Sequence, residues 1–113
     1  YNYPASSTVG DVHNPLTHMK QKCSVQDYCV LKLDIDNNIV EEELIEQIIE
    51  DPSLAAVIDE IFWENHVAQN PLANNRIWKI EGEEGMRSSR TTADSYEAFT
   101  KLRRIGIRAH SWI

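Results

Sequence analysis

The stretch that most narrows what this chain can fold into runs Tyr28-Cys29-Val30-Leu31-Lys32-Leu33-Asp34-Ile35. It is short, β-prone and apolar on both faces for most of its length, as a strand inside a parallel sheet should be. It ends in carboxylates, Asp34 and Asp36, followed by Asn37-Asn38. A helix follows, because Val40, Leu44, Ile45, Ile48 and Ile49 recur on one stripe. Glu41, Glu42, Glu43, Glu46 and Glu50 are assigned to its other side. Asp36 or Asn37 can cap its start, Pro52 stops it, and Asp51-Pro52-Ser53 can begin one further turn. Ile58 to Glu64 then reads as a second strand, ending in Glu64-Asn65-His66. Two strands joined by a crossover of about twenty residues that contains a helix make a βαβ unit, parallel and right-handed.

Beyond this unit the pattern loosens and then recovers. Residues 68–91 carry Pro71, Gly82 and Gly85 among polar residues, with a possible short strand at Arg76 to Ile80. Asp94 as N-cap and Glu97 three positions on predict a helix with a capping box. Tyr96, Phe99, Leu102 and Ile105 form its apolar stripe, and Gly106 supplies the stop. Ile107 to Ile113 alternates as a last strand. Residues 1–26 are polar, broken by Pro4, Gly10 and Pro15, and show no period, so they are read as an irregular lead-in to an α/β domain over 27–113. The opening Tyr1-Asn2-Tyr3-Pro4 and the unpunctuated end read as parts of a longer polypeptide.

Charge sets limits on partners. The 113 residues carry 18 acids against 11 Lys and Arg, a net charge of -7. That excess argues against nucleic acid, whose affinity rests on cations displacing counterions. The acids concentrate between Asp34 and Glu64, and the cations Arg87, Arg90, Lys101, Arg103, Arg104 and Arg108 follow. Two solvated helix faces of opposite sign account for this, and a protein partner is the alternative. No apolar run reaches the roughly 20 residues that span a bilayer, and the sequence assigns no compartment. Cys23 and Cys29 match neither a redox pair nor a zinc set. A reduced core cysteine is expected at Cys29, with a disulfide as the alternative. Trp63, Trp78 and Trp112 are expected as packing anchors, and His13, His18 and His110 as structural or surface groups.

In a parallel sheet, ligands sit beyond the carboxyl ends of the strands. Asp34 and Asp36 occupy one such end, and Glu64, Asn65 and His66 the next. With neighbouring strands about 4.8 Å apart these side chains converge. Two carboxylates and an imidazole can act as a general base on a hydroxyl or hold a hard divalent cation. The alternative is that the carboxylates merely cap a helix and the histidine is merely hydrogen-bonded. Asp34, Asp36 and His66 are assigned as candidate catalytic residues and Glu64 and Asn65 as substrate-binding ones. No metal ligand set is assigned.

Lys32-Leu33-Asp34-Ile35-Asp36, then a helix, then Ile61-Phe62-Trp63-Glu64-Asn65-His66, resembles the FkbM-like family of S-adenosylmethionine-dependent methyltransferases. The resemblance covers roughly residues 28–113 and includes the closing helix and strand. It implies a partial Rossmann-like methyltransferase sheet, with S-adenosylmethionine as cofactor if the unit is catalytic. Asn37 stands where that family expects glycine, and Ile39 where it expects a later glutamate. The family's glycine-rich donor turn has no counterpart, since the four glycines are Gly10, Gly82, Gly85 and Gly106. The resemblance therefore implies an O-methyltransferase-like fragment lacking its donor-binding half, the missing half or other subunits being its partners. A non-catalytic assembly subunit is the alternative, and a small metal-binding or hydrolytic domain comes last.

Overall fold

The computed structural model describes residues 3–67 and 90–111. In chain order these form α1 (Pro15–Lys22), β1 (Val30–Leu33), α2 (Asn38–Glu50), α3 (Pro52–Ala55), β2 (Glu60–Trp63), α4 (Thr92–Arg104) and β3 (Arg108–Ser111). The described strands make one parallel sheet in the order β1-β2-β3. Leu33 pairs with Trp63 and Trp63 with Ser111, so all three carboxyl ends lie along one rim. The possible strand at 76–80 and the expected anchors Trp78 and Trp112 lie outside the described residues.

Two right-handed crossovers stepping the same way across a sheet put both helices on the same face. The burial pattern agrees. Leu31, Leu33, Ile61, Trp63 and Ala109 are buried beneath α2 and α4, whereas Val30, Lys32, Arg108 and His110 on the other face are exposed. The first strand is thus alternating, not covered on both sides as its composition led us to expect. Its apolar run reads as continuous only because Val30 and the aliphatic stem of Lys32 occupy the open face.

The helices follow their periodicity with three revisions. On α2, Leu44, Ile45 and Ile48 are fully buried and Val40 and Ile49 pack beside them. Asn37 caps this helix by accepting from the Val40 N–H at 3.2 Å. Glu41, assigned above to the solvated side, is instead 1% exposed. Positions 41, 45 and 48 are spaced i, i+4, i+7, so Glu41 belongs to the buried stripe. The cap of α4 is Thr91 and not Asp94. Thr91 accepts from the Asp94 N–H, and the Asp94 carboxylate accepts from the Thr91 N–H at 2.7 Å. That makes Asp94 the third helical residue, and the buried face becomes Ala98, Phe99 and Leu102, with Tyr96 70% exposed. Gly106, at φ 99°, does end the helix.

The lead-in is less irregular than its composition implied. Asn14 accepts from the Leu16 N–H at 2.8 Å and Pro15 sits at the first helical position, a start signal for α1. Leu16 enters the core. Asn14, 1% exposed, also donates to Thr8 O and to Gln47 on α2, and Gln47 donates to Ser7 O. A disulfide joins Cys23 to Cys29 across a Cα–Cα distance of 6.3 Å, within the bridgeable range. Cys29 is half-buried just ahead of β1 and so is not the reduced core residue expected. The opposite charges of the two halves meet internally, since Arg90 Nε lies 3.1 Å from Glu42 and Arg90 also pairs with Glu46.

Candidate functional site

The register of β1 against β2 sets the site. Because Leu33 faces Trp63, the next residues on each strand, Asp34 and Glu64, lie opposite one another, and the Glu64 N–H donates to Leu33 O at 3.0 Å. Like charges directly opposite on adjacent strands repel. Here that proximity moves the two carboxyls in opposite directions. The hydrogen bond with Asp34, aided by burial, pushes Glu64 up. The same bond, then the Lys32 ammonium 2.7 Å away, pulls Asp34 down.

Two residues further along each strand end, Asp36 and His66 meet. Asp36 has φ 55°, the left-handed region that Asp tolerates better than most residues. His66 Nε2 lies 3.8 Å from Asp36 Oδ1 and 3.8 Å from Glu64 Oε2. Ligand-capable atoms of Asp36, Glu64 and His66 all lie within 4.8 Å of one another. Of the five sequence candidates, four thus converge as two linked groups, Asp34 with Glu64 and Asp36 with Glu64 and His66. Asn65 is engaged elsewhere: its amide donates to Ser95 Oγ at 2.8 Å, tying the rim to the first turn of α4.

Sequence reasoning missed the residue beneath this rim. Glu41 Oε1 accepts from the Ile35 N–H at 2.9 Å and Oε2 from the Trp63 indole N–H at 3.0 Å. One carboxylate therefore joins the end of β1, the first turn of α2 and the end of β2. Burial pushes its pKa up, opposed by the Ile35 and Trp63 donors that favour the anion. The signal was available in the i, i+4, i+7 spacing of Glu41, Ile45 and Ile48.

Comparison with known protein families, with curated proteins and with solved structures finds no match to this chain. The described residues also provide no cradle for S-adenosylmethionine. The described glycines, Gly10 and Gly106, lie away from the strands' carboxyl ends, and a Cβ added at either meets nothing within 4 Å. Asn37 occupies the turn after β1. No chemistry is therefore routed through that cofactor here. No described helix is long and apolar enough to cross a membrane.

Proposed function

We propose that this chain is a methyltransferase-like α/β unit, a partial Rossmann-like sheet that presents the acceptor side of an active site. The donor, S-adenosylmethionine, would be held by residues outside those described or by another chain. The observation that carries this reading is the meeting of Asp36, Glu64 and His66 at the carboxyl ends of adjacent parallel strands. A hydroxyl seated there gives its proton to His66 Nε2, and the imidazolium that forms faces the Asp36 and Glu64 carboxyls. Such a positioned base contributes roughly 10²–10⁴-fold. Asp34, paired with Lys32, supplies a fixed negative charge beside it. The acid that the family pattern expects at position 39 has a counterpart two residues on, at Glu41.

Titration calorimetry with S-adenosylmethionine on the 113-residue chain and on any longer form tests the reading. We expect no measurable heat from the chain alone, donor binding by the longer form, and loss of turnover in Asp36→Ala and His66→Ala. A longer form that binds no donor would overturn it. The second reading, a non-catalytic assembly subunit, is favoured by Asn37 in place of glycine and by the exposure of Val30, Lys32, Arg108 and His110 on one sheet face. Under it both variants still assemble with their partners, and turnover is absent throughout.

A further inference from the structure

We infer that the rim binds a divalent metal ion through Asp36, Glu64 and His66, of a kind that accepts two carboxylate oxygens and one imidazole nitrogen, with Mn2+ as its natural probe. The three donors approach without bonding directly. At 3.8 Å, His66 Nε2 is beyond hydrogen-bond reach of either carboxylate. Atoms within 4.8 Å of one another can nonetheless all touch one ion at the roughly 2.1–2.5 Å that such ligands keep. Glu64 directly follows β2, and its N–H is held by Leu33 O at 3.0 Å, while Asp36 and His66 each lie three residues beyond a strand end. Carboxylates alone would suit Mg2+ or Ca2+, and the imidazole tilts preference toward a first-row transition ion.

Surrounding groups favour a cation as well. Asp34 lies opposite Glu64 in the β1–β2 register, and Glu41 holds the Ile35 N–H one residue before Asp36. Such supporting partners orient ligands and commonly change metal affinity 10–100-fold when removed. The half-exposed Asp36 leaves one side open to solvent, so a water or a substrate hydroxyl can complete the coordination. His66 Nε2 would then be a ligand, and the base role proposed above would belong to the metal-free rim. An ion held by these three residues would supply Lewis-acid activation of a bound hydroxyl.

The inference rests on the rim as the functional edge but not on methyl transfer, and its test involves no methyl donor. Mn2+ is titrated into the 113-residue chain and followed by calorimetry and by the electron spin resonance of the free ion. One equivalent should bind, with nitrogen coupling from the His66 imidazole in the bound spectrum. Asp36→Asn, Glu64→Gln and His66→Gln should each weaken binding at least about tenfold, with circular dichroism confirming the fold. Glu50→Gln, on the exposed side of α2, should leave it unchanged. No saturation below the millimolar range, no nitrogen coupling, or equal loss in Glu50→Gln would each overturn the site. Metal binding with no methyl transfer in any longer form would sink the proposed function and leave this inference standing.

Discussion

The sheet has two faces that one set of strands supplies in alternation, and they are built on different physics. Under α2 and α4, Leu33, Ile61 and Trp63 are buried, and one buried polar group there, Glu41, has a donor on each oxygen. On the other face the contacts are between polar neighbours in water. The Tyr28 hydroxyl donates to Glu60 at 2.9 Å, His110 Nε2 lies 2.7 Å from the same carboxylate, and the His110 ring stacks on Phe62 at 4.8 Å. The Tyr28 hydrogen bond, then the His110 ring, pull Glu60 down. Exposed pairs of this sort are worth little, because water competes for every partner. Among the described residues, the buried apolar contacts of the sheet therefore lie on one face.

Adjacent residues of β2 give the sharpest way to break that contrast. Trp63→Ala removes a fully buried indole and strands Glu41, and should cost about 3–5 kcal/mol in urea unfolding. Glu41→Ala should come next at about 2–3 kcal/mol, since the buried Trp63 indole N–H and the part-buried Ile35 N–H lose their acceptor. Reduction of Cys23–Cys29 should cost about 2 kcal/mol, a figure limited by the shortness of the loop it closes. Phe62→Ala, one residue from Trp63, should cost less than about 1 kcal/mol. A Phe62 penalty equal to that of Trp63 would mean the open face is covered in solution, and the contrast would fail.

A pH series sharpens the same comparison. Burial raises the folded pKa of Glu41 above its unfolded value, so the fold binds more protons there than the unfolded chain does. The stability tied to Glu41 is therefore greatest at low pH and declines as pH rises from the ordinary glutamate range through the raised value. The stability of the parent relative to Glu41→Gln should fall across that interval. Asp94 has the opposite sign: its hydrogen bonds to Thr91 depress its pKa, so its capping contribution holds at neutral pH and is lost in acid. An Asp94→Asn comparison should show a gap that closes as pH drops.

Much of this arrangement was legible from residue order. The βαβ unit, its parallel sense, the closing helix and strand, and the convergence of Asp36, Glu64 and His66 all follow from periodicity and from where the acids fall. What stayed hidden depends on partners distant in sequence. Whether Val30 and Lys32 face solvent is decided by which way both crossovers step, which no single strand records. Burial of Glu41 is intelligible once an indole and a backbone N–H are seen to converge on it. The lead-in has little amphipathic pattern because α1 is anchored by Asn14, a disulfide and the single apolar pair Leu16 and Met19, too short a stripe to show a period.

The carboxylate under the rim has one more consequence. Trp63 lies wholly inside the protein, yet its indole shares Glu41 with the backbone that carries Asp36. Anything that draws on that acid at the surface must alter the polarity around the ring. Given Phe at positions 78 and 112, the chain would hold a single buried fluorophore whose emission wavelength registers events at an edge the ring never touches.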